Sequence, residues 1–376
     1  MKLSFIGDIC LARQINSKHQ KTDYQVVSNE IISLLQESDY TIANLEAPIC
    51  KTAETDGDHL SFKGSISLLS QFKFVNYFSL SNNHINDCGA HGMKETIDSL
   101  NELNIGHNGL YKNIYKPVEI NSENEKIAII TCTDMMNIPF SEDNPFKTLH
   151  IDDDYLNQLI NEYKKQNYFV ILYAHVGMLF SRFVNPPIRE LLHEKIDLGV
   201  DLIVTAHSHC VGGREVYNGK NIFHSLGDFV MDGGSYRRRQ SVILNFDIKN
   251  SEIKSYELTP VITNDKLETC LPFKNRKQKI LASWSTVTRK IEKNKNNYSA
   301  YFKKQYKYEM LSHTLSTLHF LIKTKGAKGM FKLIVKRHEE VLRMVGWLVQ
   351  DRSKDRRDDD AIRKDRKKFS DNDLYN

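Results

Sequence analysis

Short, almost wholly apolar segments constrain the fold of this chain more than any other feature of its sequence. The segments at 169–172 and 202–204 contain only Phe, Val, Ile and Leu, which is typical of strands covered on both faces. Similar segments recur through the first 250 residues. Eight strands are predicted, at 2–6, 40–43, 75–80, 126–132, 168–174, 201–206, 221–226 and 241–246.

Helical patterns lie between these strands, with apolar residues spaced so that they fall on one face of each helix. Helices are predicted at 24–37, 92–103, 153–165 and 187–198. Strands that alternate with helices indicate an α/β fold built in layers.

Polar residues capable of binding a metal come directly after five of the predicted strands. They are Asp8, Glu46, Asn83 with His84, His175, and the pair His207 and His209. Ligands of open α/β sheets bind outside the carboxyl ends of the strands, so we expect these side chains to converge on one crevice. Residues two apart in an extended backbone project to the same face, which predicts that both histidines of the pair reach the same site.

Each of these residues taken alone has an ordinary structural interpretation. Asn83 suits a turn or a helix N-cap, and a single histidine such as His175 in an apolar run is more often a satisfied core residue. The ordered occurrence of all of them favours a site. The set contains nitrogen and oxygen donors and no sulfur, which suits Zn, Mn or Fe. It is too large for one tetrahedral ion, and two metals bridged by a carboxylate would use it better.

Six ordered segments resemble the CapA family, which is named for poly-γ-glutamate capsule synthesis and is a branch of the calcineurin-like metallophosphoesterases. They are GD at 7–8, ANLE at 43–46, SNNHINDCG at 81–89, AHVG at 174–177, AHSH at 206–209 and SLGDF at 225–229. The resemblance covers roughly residues 1–250. It implies a four-layer α-β-β-α sandwich with a two-metal site.

Roles for individual residues follow from the same resemblance. Asp8 and His209 would bind one metal, Asn83, His175 and His207 would bind the other, and Glu46 would bridge them. His84 would protonate the leaving group, with Asp87 orienting it. Asn44, Asn82 and Asp228 would contact the substrate.

The resemblance implies a hydrolase of capsule, poly-γ-glutamate or envelope polymer biosynthesis, whose two-metal site activates water against a phosphoester or amide-like bond. The substrate partner would be an anionic polymer or a smaller phosphoester or amide. Three positions depart from the family pattern. Leu179 replaces an acid of many members, Asp228 replaces an asparagine, and Ala206 replaces a glycine. The alternative therefore stays open that the protein is a non-catalytic accessory or polymer-binding protein in capsule assembly.

The charge distribution divides the chain. Residues 271–376 contain 27 Lys and Arg against 12 Asp and Glu, whereas the rest of the chain is acidic. We predict a CapA-like domain at 1–255, a basic helical extension at 256–350 and a disordered charged tail at 351–376. The extension would pack on the domain as helices or make a peripheral contact with an anionic membrane. Nucleic acid is disfavoured, because no recognised binding motif is present.

Cysteine spacing and hydropathy point to the cell interior. The six cysteines form no C-x-x-C pair, which favours free thiols in a reducing compartment. Asp8 interrupts the apolar run at the N-terminus, so no signal peptide is predicted. No stretch approaches the ~20 apolar residues of a spanning helix. We therefore expect a soluble, cytoplasmic protein.

Overall fold

The computed structural model describes residues 1–22, 24–53 and 62–336. Within these residues the strands are β1 (Lys2–Ile9), β2 (Tyr40–Leu45), β3 (Tyr77–Ser79), β4 (Gly106–Asn108), β5 (Val118–Asn121), β6 (Lys126–Thr133), β7 (Phe169–His175), β8 (Leu202–Ala206), β9 (Arg214–Tyr217), β10 (Lys220–Phe223), β11 (Asp228–Val230), β12 (Gln240–Ile248), β13 (Ile253–Thr263) and β14 (Thr269–Cys270). The helices are α1 (Arg13–Thr22), α2 (Asn29–Leu35), α3 (Ile66–Leu69), α4 (Gly89–Glu102), α5 (Asp154–Lys165), α6 (Pro186–Asp197), α7 (Lys274–Lys293) and α8 (Tyr298–Lys336).

The strands form two sheets. The first has the order β14-β13-β12-β1-β2-β3-β4, with β11 also paired to β1, and the second has the order β5-β6-β7-β8-β10-β9. Strands β1 to β4 run parallel to one another, as do β6, β7, β8 and β10. The carboxyl ends of each parallel set therefore lie along one edge of its sheet.

Three apolar layers separate the sheets and helices. Phe5 of β1 and Ile171 of β7 belong to the cluster between the two sheets. The next residue along each strand points to the opposite face of its sheet. Ile6 packs into the apolar cluster under α1, α2 and α4. Leu172 packs into the cluster under α5, α6, α7 and α8. Both faces of the central strands are thus covered, which explains their wholly apolar sequences. The four-layer α-β-β-α fold is confirmed.

All eight predicted strands and all four predicted helices correspond to elements of the structure, with changes at their ends. The strand predicted at 75–80 shortens to β3, and the one predicted at 221–226 shortens to β10. The helix predicted at 24–37 shortens to α2. Several further strands have two to four residues, too few for a period to be read in the sequence.

The C-terminal part continues the domain before it becomes helical. Strand β13 crosses residue 255, the predicted domain boundary, and pairs along its length with β12. Helices α7 and α8 then pack on the second sheet, with Val287, Ile291, Phe302 and Tyr306 in its outer cluster. The predicted tail at 351–376 lies outside the described residues, as do the side chains at 330–348 on which the predicted membrane contact depends. No helix in the described part of the chain is both long and apolar enough to cross a membrane.

A buried charged cluster joins α6 to the second sheet. The Glu215 carboxylate on β9 is buried and accepts hydrogen bonds from Arg189 Nε (3.0 Å) and His193 Nε2 (2.9 Å) on α6. His224 Nε2 lies 3.4 Å from the same carboxylate. Burial by itself would raise the pKa of Glu215, but the hydrogen bonds from His193 and His224 and the Arg189 guanidinium outweigh it and hold that pKa well below its usual range.

We expect Glu215→Gln to lower the free energy of unfolding by about 3 kcal/mol at pH 7, because it leaves the Arg189 side chain, which is only 12% exposed, without its counter-charge. A depressed carboxyl pKa stabilises the folded state above the unfolded-state pKa of about 4.3 and loses that effect as the pH falls through the folded-state pKa. The difference in the free energy of unfolding between wild type and variant should therefore be smaller below pH 4. Urea unfolding at pH 7 and at pH 3 measures this difference. The exposed Glu252, paired with Lys254, provides the control, and Glu252→Gln should leave stability unchanged. An equal difference in unfolding free energy between wild type and Glu215→Gln at both pH values would contradict the prediction.

Candidate functional site

Polar side chains from the strand ends of both sheets meet in one buried cluster. The first sheet contributes Asp8 near the end of β1, Glu46 directly after β2 and Asn83 after β3. The second contributes His175, the last residue of β7, and the two histidines that follow β8. All of them are buried. The carboxylates and the amide thus come from one sheet and the imidazoles from the other.

The cluster divides into two sets of potential metal ligands that share Glu46. One set is Glu46, His175 and His207, the other is Asp8, Glu46 and His209, and within each set the ligand atoms lie within 4.8 Å of one another. Glu46 Oε1 lies 3.7 Å from His175 Nε2 and 3.7 Å from His209 Nε2. The shared carboxylate has the position that a bridging ligand between two ions needs.

Asn83 belongs to the first of these sets by distance. Its Oδ1 lies 2.8 Å from His175 Nε2, and His207 Nδ1 lies 3.0 Å from the same nitrogen. The structure therefore brings together all six predicted ligands and groups them as the resemblance implies.

The unsatisfied atoms of the cluster match a divalent cation. Both carboxylate oxygens of Glu46 and His207 Nε2 are buried, and in the described part of the chain they have no hydrogen-bond partner. Burial and the charges of Asp8 and Asp228 raise the pKa of Glu46 well above its usual range. A buried carboxylate of this kind is costly unless a cation or donor compensates it. The residues present therefore fit metal ions.

The electrostatics of the histidines agree with this fit. Burial lowers the pKa of His207 and of His209 well below the usual range. Neighbouring histidines lower both pKa values further, and at His209 Arg238 adds to this effect while Asp8 opposes it. This direction favours the neutral imidazole, which is the form that binds a metal.

A second layer of polar residues holds the ligands. Asn44 Nδ2 donates to Asp8 Oδ1 (2.8 Å) and lies 3.1 Å from His175 Nδ1, while Asn82 Nδ2 donates to Asn44 Oδ1 (3.2 Å). Asp228 Oδ1 lies 2.7 Å from His209 Nδ1. Such outer contacts fix the tautomer and orientation of metal-binding side chains. Asn44, Asn82 and Asp228 therefore position ligands in this structure, and their contact with substrate stays a prediction.

The backbone at the histidine pair is not extended, and that part of the sequence argument is wrong. His207 has φ 95° and His209 has φ 57°, in the left-handed region that costs energy for residues other than glycine. The His207 N–H donates to Asp8 Oδ2 (3.1 Å), which ties this turn to the first sheet. Both imidazoles still reach the cluster, with ring centroids 6.1 Å apart.

His84 lies beside the cluster with its ring held on three sides. Asp87 Oδ2 is 2.7 Å from His84 Nδ1, as the predicted orienting role requires. The Phe62 ring stacks on the imidazole at 3.9 Å, and Asn137 Nδ2 lies 3.1 Å from Nε2. His84 is also near enough to His207 and His209 to contribute to their lowered pKa values.

Several residues around the cluster were not predicted. Asp134 directly follows β6, and its Oδ2 accepts from the Gly177 N–H (3.0 Å) beside His175. The strand-end pattern that identified the other residues applies to Asp134 as well. Phe62 and Asn137 lie in loops and carry no comparable sequence signal.

The C-terminal helix α8 also borders the site. Glu309, which is buried, accepts from Arg182 Nε (3.1 Å) and Nη2 (2.8 Å) and pairs with Arg237. One turn further on, the His313 ring stacks on Phe180 at 4.1 Å, and Phe180 lies 6.1 Å from the His209 ring. Residues of the extension are therefore part of the surroundings of the cluster.

Comparison with known proteins places the chain in a family. Residues 2–233 match the family described as "Bacterial capsule synthesis protein PGA_cap". The chain is 28% identical over 306 residues to the PGA biosynthesis protein CapA of Bacillus subtilis (strain 168), which covers 79% of each chain. It is 26% identical over 277 residues to the capsule biosynthesis protein CapA of Bacillus anthracis, covering 69% of this chain and 67% of the relative.

Among solved structures, a putative 5'-nucleotidase from Staphylococcus aureus is similar with a TM-score of 0.45 and 14% identity. The match covers 76% of this chain and 58% of the nucleotidase. The family match spans more than half of the sequence and contains the strand-end residues of both sheets, Asp8 and His209 among them. The chain therefore belongs to the bacterial capsule synthesis PGA_cap family, the CapA family that its six motifs resemble.

Proposed function

We propose that this protein is a hydrolase with two divalent metal ions that acts on a phosphoester or amide-like bond in capsule, poly-γ-glutamate or envelope polymer biosynthesis. The observation that carries the proposal is the pair of buried ligand sets that share Glu46. The family match supports the biological setting, since two relatives are named for PGA or capsule biosynthesis. The donor set suits Mn, Zn or Fe.

Asp8 and His209 would hold one ion, and Asn83, His175 and His207 the other, with Glu46 between them. Bound there, the ions would supply Lewis-acid chemistry and lower the pKa of water towards neutrality. Asn44 keeps Asp8 and His175 in place through one amide group, and Asp228 leaves His209 Nε2 directed at Glu46.

His84 has the arrangement of a general acid. Asp87 occupies its Nδ1, so Nε2, beside the Asn137 amide, is the nitrogen that would carry a proton to a leaving group. Phe62 covers one face of the ring and restricts its rotation. General acid catalysis of this kind contributes about 10²–10⁴-fold to the rate.

The alternative is a protein that binds an anionic polymer without turnover. Leu179, where many family members have an acid, favours this alternative, because the resemblance implies that this acid lies near the substrate. Asp228 does not favour it, since this residue supports the ligand His209.

We expect purified wild-type protein, reconstituted with Mn or Zn, to contain two metal ions per chain. His207→Ala/His209→Ala should lose both ions, because each ligand set then lacks a histidine. Metal analysis after gel filtration measures the content. His91→Ala, at an exposed histidine away from the site, should keep both ions. A wild type that takes up no metal would contradict the two-metal proposal and leave the polymer-binding alternative.

We expect His84→Ala to keep both metals and to lower kcat by about 10²–10⁴-fold, because it removes the proton donor and no metal ligand. Asp87→Asn should show a smaller loss, since it keeps the His84 imidazole and alters only the Asp87 contacts to that ring and to the Phe62 N–H. Turnover of a panel of phosphoesters and γ-glutamyl peptides, measured with metal content on the same samples, tests this. Full activity of His84→Ala on a good substrate would disprove the acid assignment.

A further inference from the structure

Two arginine side chains lie near the metal centre and remain partly open to solvent. The side chains of Arg13 and Arg238 are 17% and 16% exposed, whereas those of Asp8 and Glu46 are fully buried. The two arginine side chains are therefore more exposed to solvent than the carboxylates of the cluster.

Arg238 lies in the loop between β11 and β12. Its Nε lies 3.8 Å from Asp228 Oδ2 and is buried, with no hydrogen-bond partner in the described residues. Its guanidinium carbon lies 5.1 Å from the centre of the Phe180 ring, which is next to His209. The arginines on either side of it in the sequence are engaged elsewhere, Arg237 with Glu309 and Arg239 with Asp265.

Arg13 stands on the side of His84. Its guanidinium carbon lies 4.7 Å from the centre of the Phe62 ring, which is stacked on the His84 imidazole. An ion pair with Asp232 holds the side chain in this place. Its backbone has φ 50°, a conformation that costs energy for a residue with a Cβ and that is frequent at functional sites.

Both arginines lie next to residues that contact the centre. Arg238 Nε is 3.8 Å from an oxygen of Asp228, whose other oxygen contacts His209. Arg13 packs on the Phe62 ring that is stacked on His84. Two divalent ions and the two guanidinium groups would carry six positive charges against the four carboxylates of Asp8, Glu46, Asp228 and Asp232, the last of which pairs with Arg13. The ligand that complements such a site is an anion.

We propose that Arg13 and Arg238 bind an oxyanion of the substrate, a phosphate or carboxylate group, beside the metal centre. This inference rests on the proposed function and narrows its substrate class to molecules that carry an acidic group next to the scissile bond. Phosphomonoesters and γ-glutamyl amides both meet this condition, since the latter carry a free α-carboxylate. The planar guanidinium fork pairs with two oxygens of either group.

The test is the binding of inorganic phosphate to the metal-loaded protein, measured by calorimetry. Arg238→Ala and Arg13→Gly should each weaken phosphate binding about tenfold or more, with metal content unchanged, because each removes a charge-assisted contact. Glycine is chosen at position 13 because it adopts a positive φ without strain. Arg238→Lys should give an intermediate loss, since it keeps the charge but not the fork. Arg289→Ala, at an exposed arginine on α7, should bind phosphate as wild type does.

The outcomes separate this inference from the function on which it rests. Unchanged phosphate affinity in both variants, with two metals still bound, would overturn the arginine proposal and leave the two-metal proposal intact. Absence of metal from wild type would contradict both. Competition with a γ-glutamyl dipeptide then identifies the natural anion. Displacement of phosphate that depends on Arg238 would indicate a carboxylate substrate, and failure to displace it would indicate a phosphate.

Discussion

Face-to-face packing of the two sheets is the contact on which the rest of the structure depends. Phe5 from one sheet and Ile171 from the other fill the space between them, and the Tyr173 hydroxyl donates to the Ile6 carbonyl oxygen (2.9 Å) across it. Apolar burial of this kind is the main favourable term in folding. It also sets the chemistry of the site, because neither sheet carries a full ligand set and only their packing brings carboxylates and imidazoles together.

That packing stabilises an arrangement which is unfavourable in itself. Asp8, Glu46 and Asp228 are all buried, and burying carboxylates close together disfavours their charged forms. Asn44 and the His207 N–H satisfy Asp8, and His209 satisfies one oxygen of Asp228. Among the described residues, the other Asp228 oxygen and both oxygens of Glu46 have no hydrogen-bond partner. Of the three carboxylates, the deficit of donors is thus largest at Glu46, which both ligand sets share and where a cation would be of most use.

The sequence predicts the central strands and most of the site for the same physical reason. A strand covered on both faces must be apolar throughout, so the polar residue at its end, such as Asp8 or His175, is conspicuous. Arg238 and Phe62 could not be predicted in this way, because they lie in loops and their positions depend on partners far away in the chain. The left-handed backbone of His207 and His209 could likewise not be predicted from the sequence. It depends on the hydrogen bond from His207 to Asp8, which no local pattern encodes.

The separation of ligand types between the sheets gives the metal site a mechanical consequence. An ion held by Asp8 and His209, or by Asn83 and His207, joins segments that are distant in sequence and belong to different layers. It acts as a cross-link, and cross-links between distant residues restrict the unfolded chain. The described cysteines are all free, so no disulfide does this in the described part of the chain. Loading the site with metal would thus fasten the two halves of the sandwich together at the edge where the ligand sets meet.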